Sequence, residues 1–223
     1  MKKWLDYDGK LMQILNTAAD LMILNVLTVV FSIPVFTIGA SVTAMHYTLY
    51  KIYRKEEETV FKDFLKAFRL NFAQSTILWL LFLLFAGVLA ADYYLVTRVL
   101  NLTQMNVILV LLIFIGSILL LGALMWVFIL QSRYENPVKN TIRNSFFAVF
   151  TQFPRTLGMF FLSCLPFFVL LLGGIGVPIV LGIGFSLAGF LQIKLYQSVF
   201  EKLEKTDEAK SKEEAEDVSC LDK

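Results

Sequence analysis

Six residues in the first fifty positions are the best candidates for chemistry: Asp20, Asn25, Gly39, Thr43, His46 and Tyr50. On a helix over 14–33, Asn25, Thr28 and Ser32 share one face, and Asp20 sits about a turn away. On a second helix over 36–52, Gly39, Thr43, His46 and Tyr50 fall within an arc of about 60°. If the two helices fold back at Pro34, Asp20 and His46 come to similar depth. A carboxylate and an imidazole at one depth could line a polar cavity. Small and polar residues are also how apolar helices approach and bond to one another. The sequence leaves a cavity and helix packing both open. Gly182, Ser186 and Gly189 make a similar small-residue face near the C-terminal end and read as packing.

Other chemistry is hard to assemble. No Gly-x-x-x-x-Gly-Lys-Ser/Thr loop occurs to cradle a nucleotide. Gly173-Gly174-Ile175-Gly176 is followed by no lysine and reads as a tight turn. Gly184-Phe185-Ser186-Leu187-Ala188-Gly189 is a distant echo of a nucleophile elbow. One His in the chain cannot furnish a His/Cys zinc site. Cys164 lies in an apolar run and Cys220 in a charged tail, so no disulfide is expected. Catalytic, cofactor and metal residues are therefore expected to be absent, and no enzyme is expected.

The elements that must position the six residues follow from composition. Hydrophobic residues make up 57% of the 223, charged ones 17%, and 21 are Phe. Soluble domains run nearer 45–50% and about 25%. This excludes a disordered chain and argues strongly against a water-soluble enzyme. A net charge of +2 gives no footprint for nucleic acid. The expected fold is all-α, a polytopic membrane helix bundle whose first partner is the lipid bilayer.

Spanning needs about 20 apolar residues. Runs at 14–33, 36–52, 72–91, 107–130, 157–172 and 177–195 qualify, the second being weak. With six spans and the N-terminus inside, 19 of the 20 Lys and Arg lie on the cytoplasmic side, and only Arg98 lies outside. The outer connections are too short to fold on their own. Two inner stretches, 59–71 and 137–152, read as amphipathic interface helices. In the first, Phe61, Phe64, Leu65, Phe68 and Phe72 share a face. In the second, Asn136 caps, Pro137 opens, and Val138, Ile142, Phe146, Phe150 and Phe153 recur at helical spacing. At an offset of 81 residues, Ala67, Asn71 and Phe72 fall on Ala148, Gln152 and Phe153, a faint parallel repeat. The first span is expected to be retained, since no signal cleavage site follows it. Residues 201–223 carry nine acidic and five basic side chains and read as a solvated cytoplasmic tail. A homo-oligomer is left open.

The segment Pro34-Val35-Phe36-Thr37-Ile38-Gly39-Ala40-Ser41-Val42-Thr43-Ala44 is followed by Tyr47 and by Arg54-Lys55-Glu56-Glu57. Then comes Phe61-Lys62-Asp63-Phe64-Leu65-Lys66-Ala67-Phe68-Arg69-Leu70-Asn71-Phe72-Ala73-Gln74-Ser75-Thr76. These residues resemble the YesL family, small bacterial membrane proteins of unknown function. The resemblance runs to about Phe200 and is most specific in the first eighty residues. It implies a multi-pass protein of the bacterial plasma membrane. It also implies an accessory role in carbohydrate uptake or sensing, with a sugar transport complex as partner, because the family's genes often neighbour such systems. The alternative is a small-solute transporter for sugars or oligosaccharides. In that family the position of His46 is often aromatic, which speaks against catalysis by His46. The Glu-Ala-Ala…Gly coupling loop of sugar permeases is absent from 132–156, so the chain is not read as the permease itself.

Overall fold

The structure is a computed structural model and describes residues 10–56, 59–99, 105–134, 137–198 and 200. Among these residues there is no strand, and every element is helical. The capping position Asn136, the lysines at 2 and 3, and the tail 201–223 lie outside the described residues.

Helix α1 covers Lys10–Phe31, about 33 Å at 1.5 Å per residue. It stops where Pro34 pushes Ile33 out of the helical region. The turn that follows is closed by its own side chains. Thr37 Oγ1 donates to the Phe31 and Pro34 carbonyls at 2.6 and 2.7 Å, and Trp79 Nε1 donates to Val35 O at 2.7 Å. The last carbonyls of a helix have no intrahelical donor, and these side chains supply one. Helix α2, Ile38–Arg54, returns antiparallel to α1. It ends with Lys55 in the left-handed region, where the Lys55 and Glu56 N–H groups close back onto Ile52 and Lys51.

Helix α3 is Val60–Tyr94, continued by a π turn at Leu95–Val99. Helix α4 is Met105–Gln131, α5 Val138–Thr151 and α6 Phe153–Leu170. The last helix, α7, covers Gly173–Ser198 including its opening 3-10 turn. The tight bend between α6 and α7 depends on glycine. Gly173 has φ of 69°, and a Cβ on Gly176 would lie 2.0 Å from Val169 O.

Among the described residues, five helices are long and apolar enough to cross a membrane: α1, α3, α4, α6 and α7. Helix α2 is not among them by length and composition. It is nevertheless the most enclosed element, with Gly39, Ala40, Ser41, Thr43, Ala44, Met45, His46, Thr48, Leu49 and Ile52 all buried. It packs most extensively against α3, and also against α1 and α4. The main core joins Leu24, Leu49, Phe64, Trp126, Ile129, Met159, Ile193 and Tyr196.

The stretch 59–71, expected as a separate interface helix, is the first third of α3. One 35-residue helix runs unbroken from Val60 to Tyr94. Phe64 and Ala67 are buried in the core while Phe61 and Leu70 face outward. The stretch 137–152 does form its own helix. Pro137 sits just before it rather than at its first position. The chain breaks at Gln152 (φ −116°, ψ 34°) immediately ahead of α6. Pro154 explains the break, since it lacks an N–H and its ring collides with the preceding helical turn. In the repeat register Ala73 takes that place in α3, and the helix continues.

Candidate functional site

Asn25 is fully buried, and its partners are on α7, not α2. Its Nδ2 donates to Val180 O at 2.9 Å and to Leu181 O at 2.6 Å. Its Oδ1 accepts from the Phe185 and Ser186 N–H groups at 2.9 and 3.0 Å. An amide has two donor hydrogens and two acceptor lone pairs, so all four are used. They fill the π turn at Val180–Gly184, where the i→i−4 ladder of α7 is interrupted. Ser186 Oγ donates across to Leu21 O at 2.7 Å. The Asn25 face of α1 thus stitches the first described helix to the last.

Gly39 and Thr43 belong to the crossing of α2 with α3. A Cβ on Gly39 would lie 2.5 Å from Ser75 O and 2.7 Å from Trp79 Cβ, so only glycine permits this approach. One turn on, Thr43 Oγ1 and Ser75 Oγ are 2.9 Å apart. The bond back to α1 is made by Ser41, whose Oγ donates to Thr28 O at 2.9 Å.

His46 points elsewhere. It is 6% exposed, and its Nδ1 has no hydrogen-bond partner. Its ring meets Tyr196 edge-on at 6.3 Å and helps line a cavity of about 310 Å³ among α2, α3, α4, α6 and α7. Asp20, partly buried on α1, is not bonded to that Nδ1. The sequence leaves cavity and packing both open for this hairpin, and the acid–imidazole pair is not formed at that nitrogen. Tyr50 packs its ring under Arg133 at 3.3 Å and beside Arg54 at 4.9 Å. The arc Gly39–Thr43–His46–Tyr50 therefore meets three different surroundings rather than one cavity.

Several residues of these surroundings were not picked out from the sequence. Trp79, Ser163 and Gln192 interrupt apolar runs, and that interruption was the available signal, whereas Ser75 lies in the polar run Gln74-Ser75-Thr76 and had none of its own. Gln192 Nε2 donates to Met159 O at 3.1 Å and to Ser163 Oγ at 2.7 Å. Trp126 Nε1 donates to Thr156 Oγ1 at 2.9 Å, tying α4 to α6. At the α2–α3 connection, Lys51 Nζ and Asp63 Oδ1 form an ion pair of 2.6 Å, with the Asp63 side chain only 4% exposed. Among the described residues, no group of three His, Cys, Asp or Glu side chains could hold a metal ion.

A family model described as "Protein of unknown function, DUF624" matches residues 21–93. The match covers about a third of the chain: the second half of α1, all of α2 and nearly all of α3. It contains Gly39, Thr43 and Ser75, which hold α2 against α3, and Asn25, which bonds α1 to α7. No curated protein and no solved structure matches the chain.

Proposed function

We propose that this is a non-enzymatic membrane protein of YesL type, accessory to carbohydrate uptake or sensing in the bacterial plasma membrane. In this reading the chain crosses six times with both termini cytoplasmic, α2 being the sixth crossing. The observation that carries the non-enzymatic, accessory reading is how the polar groups inside the bundle are used. Asn25, Ser41, Thr43 and Ser186 are each bonded to a neighbouring helix, which is the work of a scaffold. A transporter for a polar solute would instead present such groups to a water-filled path. The carbohydrate context rests on the YesL resemblance, whose most specific part, the first eighty residues, overlaps the DUF624 match over 21–93. Helix α5 supplies a surface for a partner, with Phe146, Phe147 and Phe150 exposed on one side.

Co-purification in mild detergent tests the accessory role. A sugar transport complex should be recovered with the tagged protein from cells expressing one. Recovery of the protein alone, or only with copies of itself, counts against the reading. The second reading is a small-solute transporter, and the cavity beside His46 is what favours it. That cavity is walled mainly by apolar side chains, a poor match to a sugar's hydroxyl groups. Melting shifts and uptake with a panel of sugars and oligosaccharides separate the two readings.

A further inference from the structure

The cavity beside His46 has a chemistry of its own. Its volume of about 310 Å³ is at the small end of ligand pockets, which run from about 300 to 1,000 Å³. Most of its wall is aliphatic or aromatic, including Ile38, Val42, Leu124 and Phe128. Phe167, largely exposed, forms part of the wall, so an apolar chain can enter from the bilayer. Three polar side chains interrupt the wall: His46, Ser163 and Gln192.

These three are left with complementary hydrogen-bonding capacity. His46 Nδ1 has no partner. Gln192 uses its Nε2 on Met159 O and Ser163 Oγ, and its Oε1 remains an acceptor. Ser163 Oγ accepts from Gln192 and retains its own proton to donate. Pro166 also lines the cavity. Lacking an N–H, it leaves the Leu162 carbonyl without its helical donor. An unpartnered buried imidazole is costly in this setting, and a ligand hydroxyl would satisfy it.

We propose that this cavity binds an uncharged single-chain lipid carrying a hydroxyl group, a long-chain or isoprenoid alcohol. The apolar wall takes the chain and disfavours a charged headgroup. The hydroxyl sits among His46, Ser163 and Gln192, where it donates to one acceptor and accepts from Ser163. The accessory role does not enter this assignment, which stands or falls separately.

The test is photolabelling of the protein in lipid nanodiscs with a diazirine-bearing long-chain alcohol and with its methyl ether. The alcohol should label residues around Phe167 saturably. Excess unlabelled hexadecanol should displace it and hexadecane should not. The ether, which cannot donate, should label about tenfold less, the effect of losing one good hydrogen bond. His46→Phe keeps a ring but removes both nitrogens, and should lower saturable labelling several-fold. Ser163→Ala removes one hydroxyl and should do the same without disturbing the fold. Thermal melting and size-exclusion profiles check each variant, and if His46→Phe fails to fold, Ser163→Ala decides. Equal labelling by alcohol and ether would overturn the proposal. So would labelling spread without saturation over all lipid-facing helices, or wild-type labelling of Ser163→Ala.

Discussion

Replacing Gly39 by Ala probes a close helix crossing, that of α2 with α3. The added methyl carbon would sit 2.5 Å from Ser75 O and 2.7 Å from Trp79 Cβ. Both are fixed by the α3 backbone, so neither can swing aside. Restoring an ordinary contact of about 3.4 Å means moving α2 and α3 apart locally by about 0.9 Å. The Thr43–Ser75 bond, 2.9 Å long, then stretches past hydrogen-bonding range. Overpacking of this kind costs about 1–3 kcal/mol, and a lost bond between membrane helices costs about 0.6–1.7 kcal/mol more. Alanine's better helix propensity returns about 1 kcal/mol. The expected net loss is about 2 kcal/mol. Equilibrium unfolding in mixed micelles reads it, or steric trapping where unfolding is irreversible. Gly182→Ala is the control, because nothing lies within 4 Å of its added carbon. It should be neutral or slightly stabilising. The mechanism makes a sharper claim about Thr43→Val. That change should be costly in the native chain and nearly free in the Gly39→Ala background, where the bond is already gone. If the two substitutions add instead of overlapping, the close approach at Gly39 is not what holds Thr43 against Ser75, and the reasoning fails.

Asn25→Leu removes four hydrogen bonds to α7 and should lower stability by about 2–4 kcal/mol at about 0.6–1 kcal/mol per bond. Deleting Gly182 to remove the π turn should be better tolerated in that variant than in the native chain, as double-mutant unfolding would show. Asp63→Asn breaks the ion pair with Lys51 and should cost about 1–3 kcal/mol. Adding Lys51→Met should recover part of it, and no recovery in a melting series would mean the pair is not the reason. For topology, single cysteines are placed in a background without Cys164 and Cys220. A cysteine at Lys55 should resist an impermeant thiol reagent in intact cells, and one at Tyr94 should react. The reverse pattern would invert the chain.

The helices themselves were legible in the sequence because lipid permits so few alternatives. Their partners were much less so. Asn25 was placed on a polar face with Thr28 and Ser32, but nothing local indicates that its partners lie some 160 residues away. Helix α2 reads as a weak span because its surface is covered by protein, which lets small and polar residues replace leucine. Helix α5, read from the sequence as an amphipathic interface helix, turns its large apolar residues outward. Ile142 and Phe146 form a stripe that in water would turn inward. Here Thr141, Ser145 and Val149 are the buried residues, while Phe146, Phe147 and Phe150 face out. Lipid is as apolar as a core, so apolarity does not say which side is inside. The two inner stretches also looked alike, yet only one contains a proline after its last helical turn. Pro154 breaks the chain at Gln152, and Ala73 lets α3 run on.

The bonds from Asn25 to α7 also set a clock. Residue 25 is made long before residues 180–186, to which it binds. At about 5–20 residues per second, the gap is on the order of 10–30 s. During that interval the carboxamide resides in the bilayer with none of its final partners. A ribosome that stalls after α6 leaves a nascent chain with this polar group unsatisfied. The amide that seals the finished bundle is thus, during synthesis, a marker of an unfinished one that quality-control proteases could recognise.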